Sequence, residues 1–340
     1  MLPRLIERAD GWAGARIEAI NSQHHRRRLA RAGKLAQLDP PADGALWSTG
    51  DPPARVGCAL EVLIDGEQAL PAIAEALASA RSYVHIAGWH ITPDFGLTRG
   101  AGAERLRDLL AELAERVEVR VLLWAGAPLP LFKPARGAVR RVREELVRGT
   151  KVQCLLDAHE RPMHCHHEKL VIVDGEVAFV GGIDLTSLGG DRFDSSAHPA
   201  HAHLGWHDAA SRVRGPAVAD VAAHFAARWR ACGGSEPPAA PPPAPAGELE
   251  LQVVRTVPEK VYDFLPEGDF RILEAYTRAL RSARRFVYLE SQFLWAPQIV
   301  EILAEKLRHP PRRGVSHRRG APRKAQQRSR YEPRPGGRAG

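Results

Sequence analysis

The residues that could do chemistry are concentrated in one stretch, His166-His167-Glu168-Lys169-Leu170-Val171-Ile172-Val173-Asp174, followed by Gly175-Glu176-Val177-Ala178-Phe179-Val180-Gly181-Gly182. It holds the pattern His-x-Lys-x4-Asp and, six residues later, Gly-Gly. The residues after the histidines are apolar and β-branched, which predicts a strand. Asp174-Gly175 predicts a tight hairpin turn, because both residues tolerate the positive φ that such a turn needs. The return strand is expected over 176–180. Side chains alternate along a strand, so His167 and Lys169 point the same way, with Asp174 at the turn. An imidazole nucleophile beside a fixed cation suits attack on a phosphate ester. Spacing alone leaves the bland alternative open, since a His and a Lys two apart occur on many hairpins and Asp-Gly is often just a turn.

The elements around this stretch alternate. Strands are predicted at 62–64, 83–87, 117–124 and 152–156, and helices at 70–80, 103–116 and 139–148. Asp65-Gly66 reads as a turn, and Gly88-Trp89-His90 follows the second strand. Such alternation predicts an α/β fold with a mostly parallel sheet and helices on both faces. The histidine-rich segment after the hairpin reads as a loop, and 219–231 as a helix ending before Gly233-Gly234. Residues 235–247 contain six prolines in thirteen positions, an extended spacer and a domain boundary. Beyond it, Ala76–Ile86 aligns without gaps to Ala279–Leu289 at an offset of 203, as an internal duplication produces. A second catalytic histidine would fall near position 370, beyond the 340 residues of the sequence, and His-x-Lys-x4-Asp occurs once. The second copy is therefore expected to be incomplete. The expected organisation is a basic, helical segment at 1–45, a first domain with the motif at 46–233, a Pro/Ala-rich linker at 234–247, the start of a second domain at 248–307 and a tail at 308–340.

The formal net charge is +8, but residues 308–340 hold ten Arg, one Lys and one Glu, so the remainder is +8 − 10 = −2. A near-neutral body argues against nucleic acid, whose phosphates need clustered Lys and Arg. Of those last 33 residues, 23 are Arg, Pro, Gly or Ala, a composition that cannot bury a core. A shifted reading frame or truncation after Leu307 is expected, with a basic nucleic-acid-binding tail as the alternative. His24-His25-Arg26-Arg27-Arg28 reads as a solvated face, or as a collar touching anionic headgroups.

The four cysteines, Cys58, Cys154, Cys165 and Cys232, form no CxxC pair, and reduced thiols in the cytosol are expected. Cys165 with His164, His166 or His167 gives poor metal geometry, because adjacent strand residues face opposite ways. No metal and no cofactor is therefore expected. Nothing in the sequence reads as a secretory signal or a membrane span, so a cytoplasmic protein, soluble or peripheral at a membrane, is expected.

His167, Lys169, Asp174 and Gly181-Gly182-Ile183-Asp184-Leu185 together resemble the signature of the phospholipase D superfamily, in its phospholipase branch. Asp191-Arg192-Phe193-Asp194, His198-Pro199, Trp206-His207-Asp208, Arg214-Gly215-Pro216 and Phe225–Trp229 follow in that branch's order. The resemblance covers roughly Val62 to Trp229 and resumes from Phe270 to Leu307. It implies a phospholipase D-like fold and a metal-independent phosphodiesterase working through a phosphohistidine. His167 would be the nucleophile, Lys169 would hold phosphate oxygens, and Asp174 would orient or charge-balance a histidine. Gly181, Gly182, Asp184, His198 and His207 would be substrate-binding, with Gly182 letting backbone approach the phosphate, Asp184 in place of the asparagine of other branches, and His198 and His207 at a headgroup pocket. The substrate implied is a phospholipid at a membrane surface, hydrolysed or transphosphatidylated. The alternatives are a homodimeric phosphodiesterase or nuclease of the same fold and an inactive headgroup-binding module.

Overall fold

The computed structural model describes residues 16, 23–24, 26–100, 103–128, 133–161, 164–190, 192–193, 206–238, 242–291, 294 and 296–308. Eight strands, β1 (Arg55–Ile64), β2 (Tyr83–Gly88), β3 (Glu118–Trp124), β4 (Gln153–Asp157), β5 (Leu170–Val173), β6 (Val177–Gly181), β7 (Ala209–Arg214) and β8 (Leu249–Leu251), form one sheet in the order β4-β3-β2-β5-β6-β7-β1-β8. The mixed α/β architecture agrees with the sequence, but parallel pairing is confined to β2–β3 and β3–β4. The described pairings from β2–β5 to β1–β8 are antiparallel. The reason is connectivity. Crossover helices bring β3 and β4 back parallel, whereas the tight β5–β6 turn can only reverse the chain.

Helices α1 (Asp65–Ala78), α2 (Leu106–Leu113) and α3 (Arg136–Val147) cover one face, and α4 (Ala217–Ala231) covers the other. Alternation divides β5 between them. Val171 and Val173 meet Leu70, Leu110 and Val139 in the first core, while Leu170 and Ile172 meet Val218, Phe225 and Trp229 in the second. On that second side His85 is buried, with its ring stacked on Phe225 at 4.5 Å and 10°. Burial, with Arg120 nearby, pushes its imidazole down to about 3, so it is neutral inside the core.

The β5–β6 hairpin has the predicted turn. Asp174 has φ 54° and Gly175 φ 69°, and the register runs from Leu170 opposite Val180 to Val173 opposite Val177. Asp174 does not face a histidine, which corrects the catalytic role expected for it. Its carboxylate accepts the backbone N–H groups of Arg81 (2.8 Å), Ser82 (2.8 Å) and Tyr83 (2.9 Å). It thus fixes the start of β2 to the hairpin, seven residues and roughly 20 Å of strand from His167.

The linker ends against the sheet. The Ala246 N–H donates to the Gly57 carbonyl at 2.8 Å, and β8 then pairs with β1. Residues 249–251 therefore belong to the first sheet, although the second domain was expected to start at 248. In the second copy, α5 (Arg271–Ser282) and α6 (Pro297–Arg308) form a small apolar cluster around Leu280, Ile299, Ile302 and Leu303. Residues 286–289 are not a strand, and Phe286 and Tyr288 are exposed there. Among the described residues nothing repeats the hairpin that holds β2 in place. Arg28, from the basic N-terminal cluster, is paired with Glu259 at 3.0 Å. Residues 309–340 lie outside the described residues.

Asp174→Ala is expected to lower stability on the order of 2–4 kcal/mol in urea unfolding, since three N–H groups lose a charged acceptor. Asp174→Asn, which keeps an acceptor and tolerates positive φ, should lose less. For His85, the unfolded chain takes up a proton below about pH 6.5 that the folded chain refuses until about 3. Wild-type stability should therefore decline as pH falls through that window. His85→Phe should flatten the decline relative to wild type; equal slopes would contradict the assignment.

Candidate active site

The motif segment enters β5 at Leu170, so His167 and Lys169 sit just ahead of the strand, beside the end of β2. Lys169 is buried, with its ammonium 3.1 Å from the Asp184 carboxylate and donating to the His167 carbonyl at 3.1 Å. Burial lowers the affinity of this amine for its proton, and Asp184 opposes that loss. Two of its three donors are engaged, leaving one for a third acceptor. Asp184 in turn accepts the Trp89 backbone N–H at 3.2 Å. Asp184, expected among the substrate-binding residues, is the buried counter-ion of Lys169.

The His167 ring lies 5.9 Å from that of Trp89, which stacks on Trp124 at 6.4 Å. Burial and the Lys169 charge pull the His167 imidazole below its ordinary value, while Asp184 and Asp208 pull it back up. The balance favours neutral imidazole, the nucleophilic form, at neutral pH. Below Trp89, His90 Nδ1 lies 2.9 Å from the Thr186 hydroxyl, which lies 2.6 Å from that of Thr92.

Gly181 and Gly182 are required by close approach, though to protein. A Cβ on Gly181 would lie 2.5 Å from the Ala209 carbonyl oxygen, and one on Gly182 would lie 2.0 Å from the Asp208 carboxylate. The structure thus gives the two glycines a reason within the protein itself. Asp208 and Arg192 stand in the sequence within Trp206-His207-Asp208 and Asp191-Arg192-Phe193-Asp194, but sequence reasoning assigns no role to either. Arg192 is buried and lies over Trp206 at 4.6 Å, and its charge is felt at His167. His207 Nδ1 lies 2.9 Å from the Asp65 carboxylate, and Nε2 lies 3.7 Å from Glu290 of the second copy. His198 lies outside the described residues.

The alternate residues of the motif face elsewhere. Glu168 pairs with Arg228, and with His224 at 2.8 Å. His166 Nε2 lies 3.4 Å from Asp157 and 3.3 Å from the Tyr262 hydroxyl. Arg228 reaches Asp157 at 2.7 Å, and Tyr262 donates to the same carboxylate. Burial works against both charged carboxylates, yet contacts with Arg228 and the histidines outweigh it and hold Asp157 and Glu168 well below the usual range. On this side a cleft of about 670 Å³ runs from His166 and His167 along Leu60, Val180, Val213 and Leu251.

Two outcomes test this geometry. His167 should titrate below 6.5 by NMR, and Asp184→Asn should lower it further, because a negative neighbour is removed while Lys169 remains. Asp184→Ala should destabilise the fold by about 3–5 kcal/mol, since it leaves a buried ammonium unpaired; a loss under 1 kcal/mol would mean that the pair is not buried in solution.

The phospholipase D family model matches residues 76–205, which span the motif. Among curated proteins, Phospholipase D A of Dictyostelium discoideum is 26% identical over 285 residues, covering 71% of this chain and 22% of that protein. Phospholipase D alpha 1 of Nicotiana tabacum is 25% identical over 311 residues, covering 65% and 38%. The chain thus spans about a fifth to two fifths of the length of these relatives. Among solved structures, the phosphatidylserine synthase of Haemophilus influenzae Rd KW20 aligns with a TM-score of 0.49 and 10% identity, covering 77% of this chain and 61% of that one. Nuc from Salmonella typhimurium, a phospholipase D family member, aligns with a TM-score of 0.35 and 14% identity, covering 51% and 95%. The motif, the family match over residues 76–205 and the curated relatives together support a likeness to the phospholipase D superfamily.

Proposed function

We propose that this chain carries the nucleophilic motif of a phospholipase D-type phosphodiesterase acting on phospholipids through a phosphohistidine at His167. The observation that carries the reading is Lys169, held between Asp184 and the His167 carbonyl with one donor left, next to His167, which lines a cleft with an apolar wall. Neutral His167 attacks phosphorus, a P–N bond forms, and the bond to the headgroup oxygen breaks. The remaining Lys169 donor meets a non-bridging oxygen as its charge grows. The departing alkoxide needs a proton, which a second motif supplies in a two-copy enzyme. Water, or an alcohol in transphosphatidylation, then attacks phosphorus; the P–N bond breaks and phosphatidate or its ester is released.

The apolar wall formed by Leu60, Val180, Val213 and Leu251 favours a lipid over a nucleic acid, whose recognition requires a basic groove. Among the described residues no helix is long and apolar enough to cross a membrane, so lipid would be met at a surface. The sequence contains one motif, and a second copy of the chain would be one source of the missing acid.

The test compares headgroup release from phosphatidylcholine vesicles with nicking of plasmid DNA. Vesicle hydrolysis that disappears in His167→Ala supports the phospholipase, nicking supports the nuclease, and binding without either supports the headgroup module. Turnover by the chain alone should be reduced by about 10²–10⁴-fold against two-motif relatives, the usual contribution of general acid catalysis. A p-nitrophenyl phosphodiester, whose leaving group departs without a proton, should suffer less. It should label the protein in an acid-labile, base-stable form. Labelling should fall in Lys169→Ala and stay in His166→Ala; labelling that survives His167→Ala would identify another nucleophile.

A further inference from the structure

Behind the motif strand lies a second cluster of side chains that the phosphodiesterase chemistry does not use. Asp157 ends β4, His159 follows two residues later, and Cys232 caps the C-terminus of α4. Their donor atoms all lie within 4.8 Å of one another. His159 Nδ1 is 3.0 Å from Asp157 Oδ1 and 4.0 Å from Cys232 Sγ, and His166 Nε2 is 3.4 Å from the same Oδ1. In a tetrahedral site with bonds of about 2.0–2.3 Å, neighbouring donors are separated by roughly 3.3–3.7 Å. These separations bracket that range.

The two oxygens of Asp157 have different work. Oδ2 is occupied by Arg228, at 3.0 and 2.7 Å, and by the Tyr262 hydroxyl. Oδ1 accepts the His159 backbone N–H at 3.0 Å and is turned toward the rings of His159 and His166. A carboxylate fixed by guanidinium, phenol and backbone donors, with one oxygen still facing imidazole, has the form of an oriented metal ligand. Charge points the same way. Asp157 and Glu168 share one permanent cation, Arg228, since Arg255 pairs with Asp269 and Arg161 with Glu259. One negative charge in this buried group is thus left for a protonated histidine or for a metal ion.

We propose that Asp157, His159 and Cys232 form a three-residue binding site for a divalent d-block cation of the zinc class, with water as the fourth ligand. Thiolate, imidazole and carboxylate together suit zinc or cobalt and do not suit magnesium or calcium, which take oxygen ligands. On binding, the Cys232 S–H bond is exchanged for a metal–sulfur bond and the proton passes to solvent. The ion would tie the end of β4 to the end of α4. Through Asp157, whose Oδ1 lies 3.4 Å from His166 Nε2, it would steady the segment that presents His167, without entering the reaction.

The test is titration of the full chain, kept reduced, with Co²⁺ alone. One equivalent should bind and give a thiolate-to-cobalt charge-transfer absorption that Zn²⁺ abolishes by displacement. Cys232→Ser should remove the absorption, and His159→Ala should weaken Zn²⁺ affinity at least 100-fold; both positions reach solvent, so neither change should threaten folding. Cys165→Ser and His167→Ala should leave the spectrum unchanged. No absorption in the wild-type chain overturns the proposal. So does an absorption that persists in Cys232→Ser, is lost in Cys165→Ser, or is indifferent to His159→Ala.

Discussion

The guanidinium of Arg228 is enclosed between Asp157 and Glu168, and the position of the motif depends on that enclosure. Arg228 is 2% exposed and comes from the last turns of α4. Its partners come from the end of β4 and from the motif itself, so one charge fixes a helix, a strand end and the reactive segment together. An arrangement of this kind is costly to break from one side, because removing the cation leaves two carboxylates buried without compensation. Tyr262, from beyond the linker, closes the group by donating to Asp157. The second part of the chain thereby helps to position the motif of the first.

The reactive side is built on the same principle with the signs reversed. There the buried charge is Lys169, and Asp184 compensates it. Burial, Lys169 and Arg192 lower the proton affinity of His167 while Asp184 and Asp208 raise it, and the balance falls on the lowered side. The two sides differ in what they leave open. On the reactive side a lysine donor remains for an incoming oxygen. On the other, ion pairs and hydrogen bonds around Arg228 tie a helix, a strand end and the motif together.

What the sequence made legible followed from local rules. Alternating apolar residues, the Asp-Gly turn and the helix periodicities predict β2 to β6 and the helices between them, because each depends on neighbours a few residues away. Strand β7 was hidden, since Ala-Ala-Ser-Arg-Val-Arg carries too weak an alternation to stand out from its polar surroundings. The parallel share of the sheet was overestimated because alternation of elements does not reveal how a hairpin redirects the chain. Asp174 shows a further limit. Its spacing from His167 was plain, but the N–H groups that it binds lie 91 to 93 residues earlier in the chain. Asp208 and Arg192 reach the site from distant loops; the resemblance marked their stretches, but local residues do not say what they touch. The repeat was legible as sequence, yet 286–289 do not repeat the strand, because pairing partners and not local residues make a strand.

The turn at Asp174-Gly175 acts on the chemistry from a distance. Both residues hold positive φ, and Asp174 is tied to the start of β2, so the hairpin has one register. A shift of one residue would carry His166 and Glu168 to the reactive side and His167 and Lys169 to the supporting side. Each motif residue would then confront the wrong partners, an acid where the lysine belongs and a cation facing Arg228. The stretch from 158 to 173 therefore tolerates exchange of many side chains more readily than the gain or loss of a single position. Its length is as much a part of the site as its imidazole.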